Sequence, residues 1–168
     1  MTLSQRALKR FLDIGASLAG LLVLLIPFAV LAALVRFSSP GPAFFVQTRV
    51  GRHRRPFRCV KFRTMQVGAD AGGPVTSAGD ARITPMGRFL RRYKLDEWPQ
   101  LWNVLLGHMS LVGPRPDVPG YADRLQGDAR RLLELRPGIT GPATLHFRDE
   151  EEMLATVPNP QEYNDTVI

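Results

Sequence analysis

Hydrophobic positions in this chain are first massed together and only later patterned. Residues 14–35 form a run of 22 without a charge, and thirteen of them are Leu, Ile, Val or Phe. As one helix this run would be about 33 Å long, the thickness of a bilayer core. Its side chains favour insertion by roughly 4–8 kcal/mol. Pro27 falls just past the middle. It has no N–H and collides with the carbonyl of Val23, so a break is predicted there. The cluster Phe37-Ser-Ser-Pro-Gly-Pro42 then marks a boundary between a membrane-inserted segment, residues 1–37, and a globular part, residues 38–168.

The globular part opens with two short runs of strand character, 43–47 and 57–62. The basic turn Gly51-Arg-His-Arg-Arg-Pro56 joins them, which predicts a β-hairpin. Residues 67–81, rich in Gly, Ala and Asp, read as a loop. Thr84-Pro85 has the form of a helix start, cap then first-turn proline. Met86, Phe89 and Leu90 fall on one face of that helix. A second helix is predicted to open at Asp96-Glu97-Trp98-Pro99 and stop at Gly107, with Trp98 and Trp102 facing one way for packing. A third is expected over 121–135, ended by Arg136-Pro-Gly138, and a further strand over 143–147.

Charge changes the picture of the apolar run. Residues 1–63 carry eleven Lys or Arg and one acid, Asp13, whereas residues 64–168 carry eleven bases and fourteen acids. A sequence pI near 10.5 suggests nucleic acid. The bases instead flank the run, with Arg6, Lys9 and Arg10 before it and Arg36, Arg49, Arg52, Arg54, Arg55 and Arg58 after. Such flanks suit an anionic membrane surface. A signal peptide is disfavoured by the length of the run and the lack of a small-residue cleavage site. A spanning helix would put one basic flank on the wrong side, against the positive-inside rule. A re-entrant hairpin broken at Pro27 keeps both flanks on the cytoplasmic face. The expected fold is therefore α+β: an N-terminal re-entrant membrane helix and a small, mainly helical cytosolic domain with a short β-hairpin.

Chemistry has few places to sit. Cys59 is the single cysteine, and His53, His108 and His146 have no metal-ligand spacing. Asp96 and Glu97 stand together at a predicted helix start, preceded by Arg91, Arg92 and Lys94. One reading is a capping Asp and a dipole-matched Glu. The other is a nucleophile or metal dyad, since Mg²⁺ is commonly held by one or two carboxylates and substrate phosphates. Gly113-Pro-Arg-Pro116 is either a rigid turn or a preset phosphate clamp built on Arg115.

The runs Leu95-Asp-Glu-Trp-Pro-Gln-Leu-Trp-Asn-Val-Leu105, Met109-Ser-Leu-Val-Gly-Pro-Arg-Pro116 and Arg136-Pro-Gly-Ile-Thr-Gly141 closely resemble the bacterial sugar transferases, the monotopic phosphoglycosyl transferases. So do Lys9-Arg-Phe-Leu-Asp13 and Val60-Lys-Phe-Arg-Thr-Met65. The resemblance implies a membrane enzyme of the bacterial inner membrane, with its catalytic domain on the cytoplasmic face and Mg²⁺ as cofactor. It implies that Asp96, partnered by Glu97, attacks the β-phosphate of a UDP-sugar, releases UMP and holds the sugar phosphate. A polyprenyl phosphate, usually undecaprenyl phosphate, then accepts it as the first membrane step of glycan or polysaccharide assembly. By the same resemblance Arg91 and Arg115 bind phosphate, with Lys61 and Arg63 near donor or headgroup. Three departures stand out. Ile26 replaces the serine that members often carry before the proline, His108 stands where an acidic residue is common, and members usually continue beyond Ile168, so either a short member or a C-terminally truncated catalytic domain is expected. The competing expectation is a non-enzymatic membrane-anchored module that binds anionic lipid or nucleic acid through the basic half.

Overall fold

The computed structural model describes residues 2–69 and 75–167. The chain opens with helix α1, Leu3–Val23. Thr2 Oγ1 accepts from the Gln5 amide at 3.3 Å and Gln5 Oε1 accepts from the Thr2 amide at 2.9 Å, a capping box. Helix α2, Leu25–Ser38, follows at a bend of 64°. Neither helix alone is long and apolar enough to cross a membrane, whereas the bent pair together reaches that length and apolar composition. The hinge residue is Leu24, three positions before the expected break at Pro27. Proline sits in the first turn of α2, where its missing N–H costs no helical bond, and the steric effect falls on the turn before it.

The N-terminal helix is inverted relative to a soluble amphipathic helix. Leu8, Phe11, Leu12, Leu18, Leu22 and Val23 of α1 are exposed, while Asp13 and Ser17 are buried. Asp13 is turned onto the globular part: it accepts from Ser110 Oγ at 2.9 Å and the Leu111 amide at 3.1 Å, and pairs with Lys9 at 3.2 Å. Arg10 donates to the carbonyls of Val104 and Leu105. Polar bonds thus fasten α1 to the domain, and its apolar surface is left outside.

Strands β1, Phe44–Val50, and β2, Pro56–Phe62, form the predicted hairpin, antiparallel from Phe44 opposite Phe62 to Val50 opposite Pro56. Alternation divides β2 between two cores. Phe62 packs with Leu31, Val35 and Leu90 under α2, whereas Phe57 and Cys59 pack with Val104 and Met109. Residues 67–69 and 75–81 are turns and irregular chain; residues 70–74 of the expected loop lie outside the described residues.

Helix α3, Pro85–Arg92, starts as its sequence predicts, with Thr84 Oγ1 accepting from the Gly87 amide at 2.9 Å. Its one-sided face is realised only in part, because Leu90 is fully buried while Phe89 is half exposed. A Cβ on Gly87 would stand 1.9 Å from the Thr64 carbonyl oxygen. This close approach seats α3 on the end of β2, so Gly87→Ala is expected to cost about 1–3 kcal/mol by overpacking. Urea unfolding followed by circular dichroism measures it.

A 3₁₀ turn at Leu95–Glu97 precedes α4, Gln100–Leu105, so the second helix begins after Pro99 and not at Asp96. Gly107, with φ 86°, lies just past its end as expected. Trp98 packs on the core under α2, whereas Trp102 is 52% exposed beside a hollow that Phe28 also lines. Strands β3, Ser110–Val112, and β4, Gly138–Thr140, pair in parallel, which the sequence did not suggest. Residues 121–135 do not form the expected α-helix. They make 3₁₀ turns at Ala122–Arg124 and Gly127–Glu134, divided by Gly127 at φ 58°. Leu132 and Leu135 are exposed, so no apolar stripe was available to stabilise a longer helix. The strand expected over 143–147 is instead a short helix α5, Pro142–His146, begun by its proline. Helices α6, Glu150–Ala155, and α7, Pro160–Val167, complete the mixed helix-and-sheet fold.

Candidate active site

Lys94, held in the left-handed region at φ 54°, turns the chain sharply after α3. The 3₁₀ turn that follows carries Asp96 inward and Glu97 against β2. Asp96 is only 8% exposed, and its Oδ1 has no hydrogen-bond partner. Glu97 Oε1 accepts from Lys61 Nζ at 2.7 Å in a half-buried ion pair. The two adjacent carboxylates are driven in opposite directions. Burial raises the Asp96 pKa above the usual carboxylate range, against the pull of Lys61, Arg91 and Lys94. Burial acts on Glu97 in the same sense, but Lys61 outweighs it by charge and hydrogen bond, with Lys94 and Arg115 adding to the effect, and holds Glu97 low. Such splitting of neighbouring groups is characteristic of sites that handle protons or charge.

Arg91 projects from the last turn of α3. Its Nε donates to Thr64 Oγ1 at 2.9 Å and a terminal nitrogen to Glu151 Oε1 at 2.7 Å. Arg115 leaves the Pro114–Pro116 turn and pairs with Glu150. That turn is rigidly seated: a Cβ on Gly113 would lie 2.3 Å from the Arg136 carbonyl oxygen. A cavity of about 1530 Å³ opens beside it, with Arg49, Arg115, Asp117 and Glu150 in its wall. Asp96 and Glu97 do not line this cavity. Arg115 and Arg49 connect the two places, since both line the cavity and both interact electrostatically with Glu97.

Of the six residues that the sequence singled out, five therefore gather in one charged region: Lys61, Arg91, Asp96, Glu97 and Arg115. Arg63 does not join them. Its guanidinium is buried beneath the end of α2, where it donates to the carbonyls of Val35, Ser39, Pro40 and Pro42. Arg63 binds the chain just after α2 as a cap would, and its guanidinium faces these carbonyls and not the charged region. Conversely, Arg49, one of the bases flanking the apolar run in sequence, lies in the site region. It donates to the Pro116 carbonyl at 2.9 Å and to Gln47, and its buried Nε has no partner. Desolvation by burial lowers its pKa, and Arg115 adds to that. Asp117 beside it is raised by burial, with Arg115 and Arg49 opposing. Glu150 and Glu151 were also missed, although the acidic run 149–152 was visible.

Among the described residues no three His, Cys, Asp or Glu side chains cluster to form a protein-built metal cage. The orphaned Asp96 oxygen next to Glu97 does fit a hard cation that takes one or two carboxylates and completes its shell with water and phosphate oxygens.

Comparison with known proteins agrees with the motifs. The family profile described as bacterial sugar transferase matches residues 4–166. A UDP-glucose:undecaprenyl-phosphate glucose-1-phosphate transferase of Caulobacter vibrioides is 48% identical over 80% of this chain and 52% of its own length. One of the same name from Escherichia coli K12 is 41% identical over 95% of this chain but only 35% of its own length. The exopolysaccharide production protein PSS of Rhizobium leguminosarum is 42% identical over 82% of this chain and 73% of its own length. The chain thus spans about half or less of the two glucose-1-phosphate transferases. With the match covering nearly every described residue, this chain belongs to the bacterial sugar transferase family.

Proposed function

We propose that this protein transfers a sugar 1-phosphate from a UDP-sugar to a polyprenyl phosphate such as undecaprenyl phosphate, as the first membrane step of a glycan or polysaccharide. The observation that carries the reading is the buried Asp96 carboxylate, with an unpartnered oxygen, next to the Lys61–Glu97 pair. A carboxylate that has lost its water and gained no hydrogen bond at that oxygen is a stronger nucleophile than a solvated one. Asp96 attacks the β-phosphorus; an Asp96–phosphorus bond forms as the bond to the α-phosphate oxygen breaks, and UMP leaves. An oxygen of the polyprenyl phosphate then attacks the same phosphorus and frees Asp96, giving polyprenyl diphosphosugar.

Arg91 and Arg115 bind and orient the diphosphate through charge-assisted hydrogen bonds, and Arg49 stiffens the turn that presents Arg115. Lys61 holds Glu97 ionised and in place. Asp96 and Glu97 would hold Mg²⁺, which supplies electrostatic stabilisation of charge on the phosphoryl group when bound. The bent α1–α2 pair enters the cytoplasmic leaflet of the inner membrane and leaves by the same face. Its exposed leucines lie in lipid, and the docked Asp13 keeps the domain at headgroup level. A soluble donor and a lipid acceptor can then use one site in turn.

Incubating the chain in detergent or nanodiscs with Mg²⁺ and a UDP-sugar labelled in the β-phosphate tests this. Without acceptor, label is expected on the protein and UMP in solution; adding undecaprenyl phosphate moves the label to lipid. A membrane-anchored lipid- or nucleic-acid-binding module would release no UMP from any UDP-sugar in a panel.

A further inference from the structure

The first turn of α6 supplies two carboxylates to two arginines that lie far apart in the sequence. Glu151 takes Arg91 at 2.7 Å and Glu150 takes Arg115. Both contacts use guanidinium nitrogens suited to planar oxyanions, so a carboxylate and a phosphate compete for the same donors. The segment has its own anchor. Leu154, one turn on, is 1% exposed, and the Glu151 carbonyl accepts from the Ala78 amide at 2.8 Å. Glu152, between them in sequence, is exposed. The acids are therefore not spread evenly over a solvated face. Two are aimed at the arginines, with Glu150 in the cavity wall beside Arg115.

Resting on the transferase reading for the identity of the donor, we propose that Glu150 and Glu151 are resident counter-anions that occupy the diphosphate positions on Arg91 and Arg115 and are displaced when the donor binds. Without them the free site would hold Arg49, Arg91, Arg115 and Lys61 with too little negative charge. With them the arginines stay ordered, and a weakly charged monoanion competes poorly. A diphosphate carries more charge and more acceptor oxygens than two separate carboxylates, so it wins both guanidinium groups. The first turn of α6 then gives up the Ala78–Glu151 bond and swings clear, with Leu154 as the remaining anchor. Donor affinity is thereby set partly by two residues that do not touch the donor.

Inorganic pyrophosphate, titrated calorimetrically into the chain in nanodiscs, is the probe. E150Q/E151Q is expected to lower its Kd about threefold to tenfold, the range for two partly exposed ion pairs. E152Q removes a charge from the same helix and is expected to leave the Kd unchanged. Looser or equal binding by E150Q/E151Q, the same gain in E152Q, or binding by neither wild type nor variant overturns the proposal. Hydrogen exchange on the unsubstituted chain gives a second reading. Saturating pyrophosphate is expected to speed exchange across Glu150–Ala155, and slower or unaltered exchange counts against displacement. Tighter pyrophosphate binding by the double variant, with no UMP release from any UDP-sugar, would sink the transferase reading alone. UMP release with a pyrophosphate affinity indifferent to both substitutions would sink only the counter-anion.

Discussion

Asp96→Asn is expected to abolish UMP release, a loss of about 10⁴-fold or more, and at the same time to make the protein harder to unfold. The first effect follows because an amide cannot form the acyl-phosphate bond, and removing a nucleophile from a site that acts as a unit leaves only residual catalysis. The second follows from burial. The folded-state pKa of Asp96 is raised by desolvation, so the folded chain holds its proton more readily than the unfolded chain. Stability therefore falls as pH rises from the ordinary carboxylate range through the raised value. Asparagine does not titrate and pays no charge burial. The variant is expected to gain about 1–2 kcal/mol at neutral pH, with the gain shrinking as pH falls from the raised folded-state value and gone below the unfolded carboxylate range. Thermal unfolding without divalent cation at several pH values measures it. Activity retained by the variant would remove the central role from Asp96, and a variant less stable at neutral pH would mean that its carboxylate is a structural partner.

What could be read from the sequence was whatever depends on local pattern. The hairpin follows from alternation and a basic turn, and the start of α3 from Thr84-Pro85, because cap and proline act within one turn. The dyad, Arg91 and Arg115 were singled out by motif, and the structure gathers them in one region. The failures share a different cause. β3 and β4 are three-residue strands whose pairing is set by the packed Gly113 and Gly138, too short to carry a period. The turns over 122–134 have charged and leucine residues at helical spacing, yet nothing covers Leu132. The sequence could not say where Arg63 and Arg49 point, because a basic residue in sequence has no direction. One folds under α2 and caps carbonyls, while the other turns to the Pro114–Pro116 turn. The partners of Arg91 and Arg115 come from α6, 60 and 35 residues away, a distance at which composition says only that the charges balance.

Lys61 is where the electrostatics of the site can be tested without touching the nucleophile. Its ammonium is the strongest favourable charge acting on both Asp96 and Glu97, after burial. Lys61→Met keeps the length and apolar stem and removes the charge. Two consequences are expected. Asp96 then ionises only at higher pH, so the acid limb of kcat/KM moves upward and activity at neutral pH drops about 100-fold. Glu97 loses the partner that holds its pKa down. A depressed carboxylate contributes stability above its unfolded pKa and loses it as pH falls through the folded one. The variant is therefore less stable at neutral pH, by about 1–3 kcal/mol for a partly buried pair, and the deficit narrows in acid. Lys61→Arg restores the charge and is expected to return the acid limb towards its original place even if geometry costs some rate. A purely structural lysine gives a different pattern: Lys61→Met would then lower activity equally at all pH values, and the limb would stay where it was. The position of that limb therefore separates a lysine that tunes the dyad from one that merely braces the hairpin against the 3₁₀ turn.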